Sequence, residues 1–472
     1  MSRGVGIRIG ITVAWFVVLG IVGALVMTRS DPEKHANIIE HFKYGSIGAE
    51  GRSGVPASLW LALPEVFKDL LPKGHGQGYE RVGLLYEKGK TRPIGTSFRT
   101  TQIGMVGLNC AVCHVGTLRA SKNAPRRIIL GMPANQFNLQ AYLNFLRATG
   151  KDKRFNADTL IPAMKKVDPN FSRADELLYR AYVIPRTRAA LRKLNDDFHW
   201  LDVRPPEGPG RVDTFNPYKV ILGLPTGKTI GTADLPSLWN QRPREGMQLH
   251  WDGNNDSLAE RNISAAIGAG ASADSLDHPA LKRVRDWILD LKAPRYPTRR
   301  IDKELAKQGA PIYAENCAAC HSFKGKYVGK VTPINEIGTD RQRLDSFTKE
   351  LVAKQGEGNA SLPKFKHFRK TNGYSNQPLD GIWLRAPYLH NGSVPTLTDL
   401  LTAPKQRPDV FYRDVDIYDW KHVGFVSRGT TAKREGFKFK TSVPGNGNGG
   451  HTYGTHLPAS DKRALIEYMK TL

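Results

Sequence analysis

Residues 9–27 form an uncharged, largely apolar run, and Arg3 and Arg8 precede it. A helix of this length spans a hydrocarbon core of about 30 Å. A cleaved signal peptide is the alternative, although its apolar part is usually shorter and ends in small residues. The pattern predicts an uncleaved transmembrane helix within residues 1–30. The rest of the chain is then expected on the periplasmic side of the bacterial inner membrane, or secreted into the periplasm if the segment is cleaved.

Beyond that run, apolar residues recur at helical spacing in four stretches. In residues 277–291, Leu281, Val284 and Ile288 repeat every three or four positions, and Pro279 suits a first turn. The 46 glycines and 30 prolines predict long, turn-rich connections. The sequence therefore predicts a mainly α fold with long loops. The predicted helices are residues 136–146, 277–291, 306–317 and 460–472, the last with Ser460 as its N-cap.

Residues 292–300 contain two prolines and cannot continue the preceding helix, so they predict a linker. The linker divides an N-terminal domain, residues 31–295, from a C-terminal domain, residues 296–472. Residues 30–100 carry no motif that assigns them to a known element.

Composition narrows the class of protein. The chain is 40% hydrophobic and 24% charged, which excludes a polytopic membrane protein and wholesale disorder. Its net charge is +25, yet it has no nucleic-acid-binding motif, so we expect no nucleic-acid partner. A basic surface suits an anionic membrane or an acidic electron-transfer protein.

All four cysteines fall in two matching motifs, Cys110-Ala-Val-Cys113-His114 and Cys317-Ala-Ala-Cys320-His321. Two cysteines separated by two residues and followed at once by histidine are typical of c-type haem attachment, with two thioethers and an imidazole under the iron. A zinc site built from both pairs and a pair of thioredoxin-like motifs are the alternatives. The repeated histidine favours two covalently bound haem c groups, one in each domain.

Three further segments resemble the bacterial di-haem cytochrome c peroxidase superfamily, which also contains the methylamine-dehydrogenase-maturing enzyme and the rubber oxygenases. Residues 236–260 contain Trp239 and the run His250-Trp-Asp-Gly, similar to the tryptophan and "WDG" turn of the peroxidases. Residues 379–397 resemble the "APYxHDGxxxTL" loop of the superfamily. Residues 445–455 are most similar to the rubber-oxygenase branch.

The resemblance implies a role for each matching residue. His114 is expected to be the iron ligand of a reactive N-terminal haem, with His250 and Glu260 on its distal side. Trp239 is expected between the haems, and a C-terminal haem to pass electrons. The implied function is reduction of hydrogen peroxide or activation of dioxygen, with a small cytochrome or cupredoxin as electron donor. A non-enzymatic electron-transfer cytochrome and a dioxygenase that cleaves olefinic carbon chains are the alternatives.

The sixth ligand of the C-terminal haem follows from the residues available after Cys317. The only methionine there is Met469, inside a predicted helix, so a histidine is expected instead. We predict His451, because it follows a glycine-rich run that is free enough in its backbone angles to place an imidazole against a haem. His456 is the fallback, and His367, His390 and His422 are the other candidates.

Two further ligands are weaker predictions. Met132 is the methionine nearest the first motif that has a flexible approach, although methionines more often fill gaps in a core. The superfamily often holds calcium between its domains, and the matching backbone carbonyls belong to Arg385 and Pro387.

Overall fold

The computed structural model describes residues 32–472 except 34, 75 and 100–102, and these residues are mainly helical. The α-helices are α1 (Ile38–Tyr44), α2 (Glu50–Ser53), α3 (Ala57–Val66), α4 (Ala111–His114), α5 (Leu139–Lys151), α6 (Ala157–Val167), α7 (Arg173–Leu178), α8 (Ile184–Phe198), α9 (Asn216–Ile221), α10 (Leu258–Gly268), α11 (His278–Ile288), α12 (Lys303–Asn316), α13 (Ala318–His321), α14 (Ile334–Ile337), α15 (Gln342–Ser346), α16 (Lys349–Glu357), α17 (Leu397–Leu400), α18 (Gly429–Glu435) and α19 (Ala459–Met469).

The strands are short and pair in small antiparallel sheets. One sheet has three strands in the order β1-β3-β2, and the others pair β4 with β5, β6 with β7, β8 with β9, β10 with β13 and β11 with β12. The strands are β1 (Val55–Pro56), β2 (Thr96–Arg99), β3 (Met105–Leu108), β4 (Val115–Leu118), β5 (Arg127–Leu130), β6 (Arg211–Asp213), β7 (Thr232–Asp234), β8 (Val331–Pro333), β9 (Gly373–Ser375), β10 (Val410–Arg413), β11 (Tyr418–Asp419), β12 (Gly424–Phe425) and β13 (Phe437–Lys440).

The four predicted helices are present, and capping side chains set where three of them begin. Asn138, Asp277 and Asp302 each accept a backbone N–H in the first turn of α5, α11 and α12. The predicted cap of the last helix is wrong. The cap position of α19 is Pro458, whose side chain makes no capping bond, and Ser460 lies inside the first turn.

Helices α12 and α19 lie directly against each other. Gly309 of α12 permits this contact, because a Cβ at that position would lie 2.0 Å from the carbonyl oxygen of Ala464. Tyr313 from α12 and Leu465 from α19 are both buried beside this contact. The pair forms the frame that leads into the second cysteine motif.

One hydrophobic core cluster contains side chains from both predicted domains. It includes Leu118, Met132 and Trp239 from before the predicted linker and Trp383 and Leu465 from after it. The two halves of the chain therefore share buried apolar surface, and the domain boundary near residue 295 stays a prediction.

The predicted transmembrane helix requires a correction. No helix in the described part of the chain is long and apolar enough to cross a membrane. The longest continuous helical run there, residues 173–198, carries charged side chains such as Glu176, Arg186 and Lys193, which a hydrocarbon core does not accept. The segment for which the anchor was predicted, residues 9–27, lies outside the described residues. The prediction of a membrane-anchored periplasmic protein therefore has no support in the fold.

Candidate functional site

The first cysteine motif occupies the short helix α4 and the turn before it. The side chain of Asn109 accepts a hydrogen bond from Ala111 N at 3.0 Å and donates to the carbonyl oxygen of Gly45 at 2.9 Å, so it fixes the start of the turn. Burial raises the pKa of the Cys110 and Cys113 thiols to about 11 and about 12, respectively. Both cysteines are free thiols.

His114 is oriented by a backbone carbonyl. Its Nδ1 donates to the carbonyl oxygen of Pro236 at 2.8 Å, which leaves Nε2 available as a metal ligand. Burial lowers the pKa of His114 to about 4, and the charge of Arg261 contributes to this shift. A neutral imidazole with a free Nε2 is the form that binds iron.

His321 is held in the same way in the second motif. Its Nδ1 donates to the carbonyl oxygen of Gln377 at 2.8 Å, and burial lowers its pKa, with a contribution from Arg385. Cys317 follows α12 directly, and its N–H donates to the carbonyl oxygen of Tyr313 at 2.9 Å. The fold thus gives each motif the same pairing of an imidazole with a backbone carbonyl that is distant in the sequence.

The two motifs do not converge on a shared metal ion. The residues that the structure describes contain no group of three or more His, Cys, Asp or Glu side chains arranged around a metal position. All four cysteines are free, so the pairs form no disulfide either. This geometry disfavours the zinc alternative and fits separate thioether attachment of haem c at each motif.

His451 faces His321. The centroids of the two imidazole rings are 6.1 Å apart, and the ring planes are inclined by 41°. Two imidazole nitrogens that each lie about 2 Å from one metal ion place the ring centroids roughly 6 Å apart. The spacing therefore fits an iron ion held between the two rings, and His321 and His451 fit a haem with two axial histidines.

The backbone and the electrostatics of His451 agree with that position. Its φ is 45°, directly after Gly450 at 70°, so the glycine-rich run does supply the left-handed turn expected from the sequence. Its Nδ1 is buried without a hydrogen-bond partner among the described residues. Burial lowers its pKa to about 3, with contributions from His321 and Arg407.

The other histidine candidates for this position are placed elsewhere. His456 is exposed, His367 bonds to Asp256, and His422 bonds to Asp419. His390 stacks on Tyr374 with ring centroids 4.0 Å apart. None of the four faces His321 as His451 does.

Trp239 lies fully buried in the shared core, between two backbone segments. Its indole Nε1 donates to the carbonyl oxygen of Leu130 at 2.9 Å. The ring packs against Gly381, where a Cβ would lie 3.0 Å from Cε3 of the indole. Trp239 thus joins residues 236–240, which hold His114, to residues 377–381, which hold His321. We call these two segments together the clasp.

A buried cluster of charged side chains links the two segments of the clasp beside Trp239. The Asp380 carboxylate accepts from Asn240 Nδ2 at 2.8 Å, from Arg385 at 2.9 Å and from the guanidinium of Arg244. Arg244 also donates to the carbonyl oxygen of Trp239 at 2.8 Å. Asp380 and Arg385 belong to the segment 379–397, but their pairing with Arg244 is identified only by spatial proximity.

His250 lies in a buried polar turn near Arg261. Its φ is 64°, and its Nδ1 donates to Asn254 Oδ1 at 2.6 Å. Burial lowers its pKa to about 4, with a contribution from Arg261. The ring is stacked on Phe368, with centroids 5.9 Å apart.

Glu260 has both carboxylate oxygens occupied. Oε1 accepts from Asn255 Nδ2 and from His367 N, each at 2.9 Å, and Oε2 accepts from Lys366 N at 2.7 Å. Glu260 therefore fixes the loop that carries Phe368 against His250. This arrangement makes it a positioning residue in the structure.

Arg261 is the functional candidate that the sequence did not single out. Its charge contributes to the lowered pKa of both His114 and His250, so it lies within electrostatic reach of both. Its Nη2 donates to Gln241 Oε1 at 2.8 Å, and it forms no ion pair with a carboxylate in the part of the chain that the structure describes. Burial lowers its pKa to about 10, so it stays charged near neutral pH. A buried cation without a carboxylate partner is suited to an anionic ligand.

Two further predicted ligands are Met132, for iron, and the backbone carbonyls of Arg385 and Pro387, for calcium. Met132 is fully buried in the shared core, with its side chain packed against Gly116. Ala386 and Pro387 line a cavity of about 30 Å³, together with Asp234 and Arg413. Arg413 already pairs with Asp234 at 2.9 Å, so the Arg413 guanidinium supplies the positive charge beside this carboxylate. Calcium at the backbone carbonyls of Arg385 and Pro387 stays a prediction.

Comparison with known proteins agrees with the haem assignment. Residues 373–412 match the RoxA-like, cytochrome c-like family model, which relates the chain to the cytochrome c superfamily and implies haem c. This matched segment contains Gln377, Asp380 and Gly381 of the clasp. The peroxidase branch of the superfamily is not confirmed by this match and stays a prediction.

Two curated relatives come from Sinorhizobium fredii. The uncharacterized protein y4iJ is 31% identical over 507 aligned residues, which cover 84% of this chain and 81% of y4iJ. The uncharacterized protein y4iM is 31% identical over 229 residues, which cover 43% of this chain and 51% of y4iM.

Proposed function

From the premise that this chain belongs to the protein family of y4iJ and contains a cytochrome c-like segment, we propose that it is a di-haem c-type oxidoreductase. His114 would hold the haem at which hydrogen peroxide or dioxygen is activated, and His321 would hold the haem through which electrons arrive. When bound, haem c supplies an iron ion that changes oxidation state and that binds an oxidant where a coordination position is open.

The observation that carries the proposal is the difference between the two sites. At His321 the His451 imidazole lies 6.1 Å away between ring centroids, so His321 and His451 would together hold the iron of a haem bound there. Such a site exchanges electrons without binding a substrate. His114 instead lies within electrostatic reach of the charged Arg261, which also acts on the neutral His250. An electron carrier has no use for these two buried polar side chains, whereas a site that protonates an oxidant needs both.

His250 is suited to move a proton. Because the Asn254 side-chain oxygen accepts from Nδ1, the hydrogen of the neutral ring is on Nδ1, and Nε2 keeps a lone pair. Nε2 is thus the atom that takes up a proton and returns it. Glu260 supports this role indirectly, since it holds the loop of Phe368 against the His250 ring.

Arg261 supplies positive charge at the same site. A guanidinium in low-dielectric surroundings stabilises negative charge that develops on a bound oxidant. Its hydrogen bond to Gln241 fixes its position relative to the clasp. Trp239, in the clasp between the two histidine-bearing sites, is the side chain through which electrons pass from one to the other.

Cleavage of an olefinic carbon chain with dioxygen is the second candidate function. It is supported by the RoxA-like match of residues 373–412 and by the similarity of residues 445–455 to the rubber oxygenases. Stable dioxygen binding by the reduced protein, together with cleavage products from a polyene, would favour this reaction over peroxide reduction.

The deciding experiment is optical and electron paramagnetic resonance spectroscopy of the purified holoprotein in each redox state, with and without peroxide. We expect two haems per chain in a pyridine haemochrome assay. One should be low-spin with two axial histidines, and the other should change its spectrum when peroxide is added. Two haems that are six-coordinate in every redox state, with no turnover of peroxide or dioxygen, would overturn the proposal.

A further inference from the structure

An open groove of about 840 Å³ runs along the junction of the two halves of the chain. We call it the seam groove. Its walls are the segment between α11 and α12, one face of α12, and the end of α19. The lining residues are Asn240, Lys292, Ala293, Pro294, Arg295, Tyr296, Thr298, Ile301, Lys303, Ala306, Lys307, Ala310, Tyr468, Lys470, Thr471 and Leu472.

The side chains of the seam groove carry positive charge. Five are basic, and no Asp or Glu side chain lines the groove. Lys307 and Lys470 are partly neutralised by Glu304 and Glu467 nearby. Lys292, Arg295 and Lys303 are exposed and form no ion pair with a carboxylate in the described part of the chain. These three unpaired cations, two on the segment between α11 and α12 and one on α12, attract an acidic surface.

The floor of the seam groove reaches the clasp. Asn240 lines the groove, follows Trp239 in the chain, and donates to Asp380. Tyr296 also lines the groove. Its ring makes edge-to-face contacts with Trp383 and Trp420, with ring centroids 5.2 Å and 5.5 Å apart, respectively. A protein bound at Asn240 therefore lies beside the residue that precedes it in the chain, the buried Trp239 of the clasp.

We propose that the seam groove docks the acidic surface of a small redox protein, which delivers electrons beside Trp239. This inference rests on the proposed function. Each encounter transfers one electron, so the partner is oxidised by one electron and one ferric iron of this chain is reduced to the ferrous state. The groove is open to solvent and carries five basic side chains, which suits fast, reversible docking through complementary charge.

The test uses the holoprotein and two charge-reversal variants. The groove variant combines Lys292→Glu, Arg295→Glu and Lys303→Glu. The control variant combines Lys433→Glu, Lys438→Glu and Lys440→Glu, which are exposed residues of α18 and β13 and change the net charge by the same amount. The probe is reduced plastocyanin with an acidic surface patch, mixed with the ferric protein in a stopped-flow instrument at low ionic strength.

We expect the groove variant to lower the second-order rate constant by roughly 10- to 100-fold and to weaken its salt dependence, because steering by charge is lost. The control variant should change the rate constant by less than about 3-fold. Equal losses in both variants would show that net charge alone attracts the probe and would overturn the assignment. No loss in the groove variant would overturn it as well.

A binding measurement separates this inference from the proposed function. The fluorescence anisotropy of a labelled decaglutamate peptide reports docking without any haem chemistry. Selective loss of peptide binding in the groove variant supports the docking surface even if the protein turns over no oxidant. Selective loss of binding to anionic phospholipid vesicles, with unchanged peptide binding, would assign the groove to a membrane surface and overturn the protein partner.

Discussion

At the residue scale, the imidazoles of His114 and His321 are oriented by the same kind of hydrogen bond. Each Nδ1 donates to a backbone carbonyl 2.8 Å away, and in each case burial keeps the ring neutral. The fixed tautomer presents Nε2 to the position of the metal. The cysteine motif predicts which histidine binds the metal. The backbone carbonyl that orients this histidine, however, lies more than 50 residues away in the sequence.

The first prediction concerns His451. In the His451→Gly variant, we expect the haem at His321 to become high-spin and to bind added imidazole, because the facing ring is removed. The spectrum of the haem at His114 should not change. His456→Gly is the matched control, since His456 is an exposed histidine five residues further on. A low-spin signal that persists in His451→Gly would refute the ligand assignment.

The second prediction concerns Arg261. Replacing it in Arg261→Gln should weaken fluoride binding to the ferric protein by roughly 10- to 100-fold, because a charged hydrogen bond contributes about 1.5–3 kcal/mol. Arg261→Lys should recover part of the affinity. An optical titration measures the dissociation constant. Arg186→Gln, which changes an exposed arginine of α8, should leave it unchanged. The same affinity in all four proteins would exclude Arg261 from the site.

The third prediction concerns Glu207, which lies away from the candidate sites. Burial, together with the nearby charge of Asp213, raises its pKa to about 8. The folded chain therefore binds more protons than the unfolded chain between pH 4.5 and about 8, and Glu207 makes stability fall as pH rises through this range. In Glu207→Gln, the melting temperature should fall less between pH 6 and pH 9 than it does in the unchanged protein. Glu304→Gln, at an exposed position, should follow the unchanged protein.

At the scale of elements, helices with a regular apolar face and a polar cap could be predicted, whereas ends without a capping side chain could not. The stretch 277–291 was predicted because Leu281, Val284 and Ile288 repeat regularly, and Asp277 and Pro279 define its start. Ser460 has the chemistry of an N-cap, but α19 begins one residue earlier. Residues 38–66, which contain α1 to α3, were not predicted, because α3 is almost uniformly apolar and lacks a polar face.

The fourth prediction tests the contact that closes the clasp. In Gly381→Ala, the new Cβ would lie 3.0 Å from the Trp239 ring and 2.5 Å from Cβ of Ala293, at a φ of +66°. We expect a loss of roughly 1–3 kcal/mol in the free energy of unfolding and slower electron exchange between the haems. Gly223→Ala is the matched control, since its φ is +69° and it has open space around the new Cβ. An equal loss in both variants would mean that backbone strain alone is responsible.

At the scale of the whole molecule, the two cysteines and the histidine of each motif could be predicted from the sequence, because they lie within five consecutive residues. His451 could be predicted as a candidate iron ligand, because the only methionine after Cys317 lies inside a predicted helix and because a glycine-rich run precedes His451. Arg261 and Asp380 could not be predicted, because their roles depend on neighbours distant in sequence: His114 for Arg261, and Arg244 for Asp380. The expected acid–base role of Glu260 rested on a local motif, and the structure shows that distant backbone amides occupy its oxygens.

The clasp also bears on how the protein is assembled. Residues 236–240 orient His114 and carry Trp239, while residues 377–381 orient His321 and carry Asp380. Each segment completes one attachment site and packs against the segment that completes the other. If each motif holds a haem as proposed, attachment of the first would order part of the surroundings of the second. We therefore expect maturation of the two sites to be cooperative, with chains that carry a single haem scarce among the products.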